Sequence, residues 1–283
     1  MTSYPVGILH PGDMGISIAA SAQNAGHTVY WASDGRSVST HTRAGEHKLH
    51  DVGTLPALCK ICDVIVSVCP PHAAEDVAHS VVAGGFKGLY VDANAVAPER
   101  ALRIADTVMK AGIGFVDGGI IGGPAWKPKS TWLYVSGQRA HEAAALFAAG
   151  PLETQVLDDN VGTASALKMC YAAYSKGMTA LVCAVLASAE QLNVRQALTA
   201  QWTRDDAGFV DQTTRRIQGG AVKAWRFEGE MREIAATFRA SGMPGGFHDA
   251  AAEVYQRLAP FKEGGKPELA AVLQVLLHQR QDP

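Results

Sequence analysis

The stretch Val6-Gly7-Ile8-Leu9-His10-Pro11-Gly12-Asp13-Met14-Gly15 begins as an apolar run, bends at Pro11-Gly12 and continues into the amphipathic segment Ile16–Ala25. A short buried strand, a glycine-bearing turn and a helix in direct succession are the opening unit of a doubly wound parallel sheet, and such a turn lies at the carboxyl end of its strand. Gly12 lets the backbone approach a pyrophosphate, and Gly15 lets the helix pack closely on the strand. The helix N-terminus adds unpaired N–H donors and a positive dipole end. Gly12, Asp13, Met14 and Gly15 are therefore expected to bind a dinucleotide. His10 stands at the first glycine position of the G-x-G-x-x-G fingerprint.

Working outward, short apolar runs alternate with amphipathic stretches through the first half. Strands are predicted near Pro5–Leu9, Thr28–Ala32, Val64–Val68, Gly88–Asp92, Gly114–Gly118, Trp132–Ser136 and Thr154–Leu157, with helices such as Ala73–Ala83 and Pro98–Ala111 between them. After Asp158 only 3.6-residue periodicity remains. A long helix from Val161 to about Gln191, capped by Asn160, leads to helices at Arg195–Thr203, Ala207–Ile217, Lys223–Ser241 and Gly246–Leu258, separated by breaks at Gly219-Gly220 and Gly242–Gly246. The expected fold is an α/β Rossmann-type N-terminal domain, residues 1–159, followed by an all-α C-terminal domain, residues 160–283.

Composition limits the function. The 283 residues carry a formal charge of −2, with 47% hydrophobic and 18% charged side chains, which argues against a broad nucleic-acid or anionic-membrane footprint and for a small-molecule ligand. No run reaches the ~18 consecutive apolar residues of a membrane span, and the N-terminal apolar run is too short for a signal-peptide core, so a cytoplasmic protein is expected. The five cysteines are scattered, and Cys59-Lys60-Ile61-Cys62 has no second pair. Without carboxylate or cysteine companions at ligand spacing for the histidines, no metal site is expected.

Cofactor choice turns on the end of the second strand, Trp31-Ala32-Ser33-Asp34-Gly35-Arg36-Ser37. Ser33 stands where a ribose-binding carboxylate belongs, while Arg36 and Ser37 offer a planar cation and a hydroxyl, with Arg43 further on. This chemistry favours NADP(H), although Asp34 is an alternative ribose acceptor. At the end of the third predicted strand, Cys69 and Pro70 form a rigid turn suited to pass under the nicotinamide ribose. Asn94, at the end of the next strand, is expected to hold nicotinamide or substrate.

These motifs resemble the β-hydroxyacid dehydrogenase family, which includes 3-hydroxyisobutyrate and 6-phosphogluconate dehydrogenases. Gly12-Asp13-Met14-Gly15 resembles its G-x-M-G, and Asp92-x-Asn94-x-x-x-Pro98 its D-x-[SN]-x-x-x-P. Asp117-Gly118-Gly119-Ile120-Ile121-Gly122-Gly123 resembles the substrate segment, and Gly162–Lys168 the start of the interdomain helix. Segments 224–231 and 246–248 resemble a phosphogluconate-dehydrogenase-like branch with its own helical C-terminal domain. The resemblance implies hydride transfer to or from a small hydroxy acid or alcohol, Lys168 as proton donor and acceptor, and a homodimer. Ile121 replaces the family's substrate-binding serine, and Ala172 its asparagine. Tyr171 or Ser175, on the helix face of Lys168, is a candidate substitute for the lost hydrogen bond. Backbone N–H groups of Gly122 and Gly123 are expected to form an anion pocket, and His248 is expected to reach a cleft and titrate near neutrality. Arg226 and Glu230 are expected to form an i,i+4 ion pair at a surface or interface. An imine reductase and a non-catalytic dinucleotide-binding module remain the alternatives.

Overall fold

The computed structural model describes residues 3–278. The chain forms two compact units, Met1–Met169 and Cys170–Pro283. In the first, strands and helices follow in the order β1 (Pro5–Ile8), α1 (Asp13–Asn24), β2 (Thr28–Trp31), α2 (Val38–Glu46), β3 (His50–Asp51), α3 (Leu55–Ile61), β4 (Val64–Ser67), α4 (Ala74–Ala83), β5 (Leu89–Asp92), α5 (Pro98–Lys110), β6 (Gly114–Gly122), β7 (Thr131–Ser136), α6 (Ala140–Ala145) and β8 (Glu153–Val156). They build one eight-stranded sheet in the order β3-β2-β1-β4-β5-β6-β7-β8. The order reverses between β1 and β4, which places a crevice at the carboxyl ends of these strands.

Strand alternation explains the two-sided core. Val6, Ile8, Val64, Val66, Leu89 and Val91 face one way, onto Ile16 and Ile18 of α1 and onto Leu146 and Phe147. Ile65, Tyr90 and Phe115 face the other way, onto Leu58, Ala78, Val81, Ile104 and Val108. A buried strand needs apolar side chains at successive positions when both faces are covered, as the sequence of β4 supplies. β7 departs from the all-parallel expectation: it pairs antiparallel with β6, and the short connection 123–130 permits only that return. β6 also runs four residues past its expected end at Gly118, because Gly119 to Gly122 pair with Tyr134 to Thr131.

Helix α7 (Thr163–Gln191) contains the division between the units. By length and composition alone it is apolar enough to cross a membrane, and half of its most apolar window is buried. The C-terminal unit continues with α8 (Arg195–Asp205), α9 (Phe209–Ala221), α10 (Ala224–Ala240), α11 (Gly246–Arg257) and α12 (Leu269–Leu277). Its buried residues include Ile217, Met231, Ile234, Ala252, Tyr255 and Leu273. Gly219 and Gly220 lie inside α9 rather than breaking the chain, and the break comes at Val222-Lys223. The Asn160 cap is also corrected. Helix α7 starts at Thr163, and Asn160 sits in a turn, donating its N–H to Asp158 Oδ1 at 2.9 Å.

Candidate active site

The glycine turn closes as its sequence requires. A Cβ on Gly15 would stand 2.1 Å from the His10 carbonyl oxygen, so only glycine lets α1 start this close to the turn, whereas a Cβ on Gly12 would meet open space. Gly12 precedes α1 in extended conformation, leaving the first-turn N–H groups facing the crevice. Met14 packs its side chain against the sheet core, and Asp13 is exposed and ion-paired at 2.9 Å to Arg43. Arg43 also donates to the Pro11 carbonyl at 3.3 Å, so it fastens α2 to the turn. Ser37 caps α2 by accepting from the Thr40 N–H at 3.3 Å, and its hydroxyl lies 3.0 Å from those of Ser39 and Thr40. Ser33 is half-buried at the end of β2 and accepts the Arg36 N–H at 3.1 Å.

Across the middle of the sheet, register aligns Ser67 with Asp92, Asp92 with Asp117, and Asp117 with Ser136. This gives a buried polar row over β4 to β7. Asn94 belongs to the same network: its Oδ1 accepts the Cys69 N–H at 2.6 Å, its Nδ2 donates to Ser67 Oγ at 3.1 Å, and its own N–H reaches Asp92 Oδ1 at 3.0 Å. The Asn94 oxygen thus fixes the Cys69 turn and one amide hydrogen is committed to Ser67, which narrows the expected ligand contact to the second amide hydrogen. Burial, reinforced by Asp92, pushes the half-buried Cys69 thiol up to about 12, so it stays protonated. Burial together with the neighbouring Asp117 carboxylate raises Asp92 to about 7, against the opposing hydrogen bond from Asn94.

The β6–α7 corner is built around Asp117. Alternation along β6 puts Asp117, Gly119 and Ile121 on one face, and α7 begins against it. Asp117 Oδ2 accepts the N–H groups of Gly162 at 3.0 Å and Ser165 at 2.9 Å and the Ser136 hydroxyl at 3.3 Å. Its Oδ1 accepts the Ser165 hydroxyl at 2.6 Å, while Ser136 Oγ takes the Ala164 N–H at 3.1 Å. A residue 45 positions upstream thus does what a local cap does elsewhere, with its charge at the positive end of the helix dipole. Burial raises the Asp117 pKa, and the four donors and their fixed geometry oppose it. A Cβ on Gly119 would lie 2.6 Å from the Ala164 carbonyl and 3.0 Å from Lys168 Cβ, so glycine sets how closely the helix lies on the strand. Two turns into α7, Lys168 Nζ donates to the Ile120 carbonyl at 2.6 Å. Ile121 is buried on the same strand face. Gly122 ends the paired strand at φ +126°, where a Cβ would stand 2.4 Å from the Ser130 carbonyl. Gly122 is therefore part of the ladder opposite Thr131, so of the two exposed glycines expected to form the anion pocket Gly123 alone lies beyond the strand.

In the C-terminal unit, Tyr171 is 49% exposed on α7, and Ser175 donates to the Tyr171 carbonyl at 3.0 Å. His248 does not reach a cleft. Its ring is buried edge-on against Phe238, with centroids 4.4 Å apart, and beside Phe247, and desolvation lowers its pKa. Glu230 is buried and pairs with Lys176, whose Nζ lies 4.4 Å from the Phe227 ring centroid, while Arg226 is exposed. Glu230 thus has a buried partner, Lys176, that its i,i+4 spacing with Arg226 does not announce. Lys176 and the helix-anchoring role of Asp117 escaped sequence reading, since neither residue lies near its partner in the chain.

A sequence model of the NAD binding domain of 6-phosphogluconate dehydrogenase matches residues 5–148, and a domain of unknown function (DUF1932) matches residues 189–258. The chain belongs to the family of that NAD binding domain. An uncharacterized 28.5 kDa protein of Methanothermus fervidus, from a 7S RNA 5′ region, is 32% identical over 180 residues, 62% of this chain and 68% of that protein. The 3-hydroxyisobutyrate dehydrogenase of Mycobacterium tuberculosis, solved with L-serine, superposes with a TM-score of 0.71 at 16% identity, covering 97% of this chain and 99% of that one. A reductive aminase from Aspergillus terreus, solved with NADPH and ethyl levulinate, has a TM-score of 0.54 at 16% identity over 96% and 99% of the two chains. These structures share the fold, and the β-hydroxyacid dehydrogenase resemblance is borne out at family level. The chain is thereby a member of a nicotinamide-dependent oxidoreductase family. Its own residues fit the dinucleotide: Gly12 leaves open space at the turn, and two buried nitrogens beside it, His10 Nδ1 and Arg36 Nε, have no hydrogen-bond partner.

Proposed function

We propose that the chain is an NADP(H)-dependent dehydrogenase or reductase that interconverts a small hydroxy acid or alcohol with its carbonyl, with Lys168 as the proton donor and acceptor. The observation that carries this reading is the Lys168 ammonium held at 2.6 Å on the Ile120 carbonyl at the end of β6, on a helix anchored by Asp117. The nicotinamide, when bound, supplies or accepts the hydride. In reduction the substrate carbonyl carbon gains that hydride, and charge develops on its oxygen. Lys168 stabilises the charge and gives up a proton, forming the alcohol. In oxidation the neutral amine takes the hydroxyl proton. Holding the lysine on a backbone oxygen costs little reorganisation during the step, because the strand and the helix are both fixed. Asn94 acts as a positioning residue for the Cys69-Pro70 turn. Ile121 gives the β6 wall an apolar surface, which favours a substrate with an aliphatic carbon beside the reacting centre over one held there by a hydroxyl.

Preference for NADP(H) is supported by Ser33 in place of a carboxylate and by the hydroxyls of Ser37, Ser39 and Thr40 at the start of α2. A homodimer is supported by Tyr171, Tyr174 and Leu181, exposed along α7 at coiled-coil spacing. Sedimentation at increasing concentration would show a dimer, and Tyr174→Glu with Leu181→Glu would yield a monomer.

The test of the reaction is NADPH oxidation with a panel of aldehydes, keto acids and cyclic imines. Turnover on carbonyls supports the reading. Reduction of cyclic imines with none of carbonyls would replace it with imine chemistry, and tight NADPH binding without turnover on any class would replace it with a binding module.

A further inference from the structure

His10 is not a neutral replacement for a glycine. Its carbonyl is locked inside the turn, accepting the Gly12 N–H at 2.8 Å and closing against Gly15. The residue stands just past the end of β1, which lies between β2 and β4 in the sheet. There Arg36, from the β2 end, lies within electrostatic reach of both His10 and Cys69 of the β4 end.

Both side chains are under-satisfied. The Nδ1 of His10 and the Nε of Arg36 are buried without a hydrogen-bond partner, and Arg36 forms no salt bridge among the described residues. A buried ring nitrogen without a partner, and a desolvated guanidinium that has Asp34 within electrostatic reach but forms no salt bridge with it, are each costly. Burial, helped by the Arg36 charge, lowers the His10 pKa to about 4, so the ring is neutral at pH 7 and offers one N–H beside one fixed cation. One hydrogen-bond donor next to a planar cation, at a helix N-terminus, is a phosphate-oxygen site.

We propose that His10 and Arg36 together form a phosphate-binding clamp in the dinucleotide crevice, with His10 contributing a side-chain contact that a glycine at its position does not make. The inference rests on the nicotinamide-dinucleotide reading and assigns a role to a residue that breaks the glycine fingerprint. The phosphate is either the pyrophosphate or the 2′-phosphate of the adenosine, and the two are separated by the ligand used.

The experiment is calorimetric titration of wild type, His10→Gly, His10→Ala, His10→Gln and Arg36→Gln with NADPH, NADH and adenosine 2′-monophosphate. His10→Ala keeps a Cβ, so its loss is not an effect of glycine freedom, and circular dichroism checks that each variant folds. The clamp predicts that His10→Gly and His10→Ala weaken dinucleotide binding by at least ~10-fold, that His10→Gln recovers most of it through its amide, and that Arg36→Gln loses more. Weakening of NADPH and adenosine 2′-monophosphate with NADH unchanged assigns the clamp to the 2′-phosphate. Equal weakening of NADPH and NADH with adenosine 2′-monophosphate unchanged assigns it to the pyrophosphate. Unchanged or tighter dinucleotide binding by His10→Gly overturns the clamp while leaving the dinucleotide reading intact. A wild type that binds neither dinucleotide overturns both.

Discussion

The two ends of the parallel sheet are finished differently. At the β6–α7 corner, the buried Asp117 carboxylate has four donors, the first N–H groups of the helix are partnered, and Lys168 rests on a backbone oxygen. At the β1–β2–β4 ends, His10 and Arg36 keep buried nitrogens with no partner. A polar network that is complete holds its members in one arrangement, whereas an incomplete one at a crevice stores binding energy for a ligand. The contrast fits rigidity at the corner proposed to move a proton and receptivity at the crevice proposed to take the cofactor.

The strongest way to break this contrast is to open the complete corner. Asp117→Ala leaves two buried N–H groups and two hydroxyls without their acceptor, and is expected to cost about 3–5 kcal/mol of stability in urea unfolding, with loss of turnover. A loss below about 1 kcal/mol would show that the corner is not held by this carboxylate. Next is the steric closure of the crevice. Gly15→Ala drives a methyl to 2.1 Å from the His10 carbonyl, so the turn has to move, and a destabilisation of about 1–3 kcal/mol with weaker dinucleotide binding is expected.

The polar row between the two ends supplies a pH test. Asp92 has its folded pKa raised to about 7, above the ~3.9 of an unfolded aspartate. Over that window the folded state keeps a proton that the unfolded state has lost, so this residue makes stability fall as pH rises from about 4 to about 7. Asp92→Asn mimics the protonated form and is expected to gain stability relative to wild type across the same window, by a few kcal/mol at most at pH 8. A difference independent of pH would contradict the assignment. The smallest effect is at the outer edge of the crevice: Ser37→Ala removes the α2 cap and is expected to cost about 1 kcal/mol in thermal unfolding.

Much of this was legible in the sequence because it is local. The glycine turn, the strand rhythm and the helical second half depend on neighbours within a few residues; Gly15 could be singled out from spacing, and Lys168 from the family resemblance. What was not legible depends on register. Nothing in Asp117-Gly118-Gly119 announces that its carboxylate caps a helix 45 residues later; that follows from β6 lying beside β7 and under α7. Asn94 looked like a ligand-binding amide because it ends a strand, and its commitment to Cys69 and Ser67 comes from the neighbouring strand end. His248 looked available because it follows a glycine turn, yet aromatic packing by Phe238 and Phe247 buries it. The glycines at 219 and 220 looked like a break, but helix propensity is a weak term against tertiary packing. Two acidic residues ending adjacent predicted strands, Asp92 and Asp117, were the one visible hint of the polar row.

The most direct test of the account uses Lys168→Met, which keeps the length and apolar stem of the side chain and removes its proton. Dinucleotide affinity by titration and turnover on a carbonyl that the wild type accepts would be measured on the same preparation. The account predicts affinity within about twofold of wild type and turnover reduced by about 10²–10⁴-fold. Turnover within about twofold of wild type, with binding intact, would contradict it.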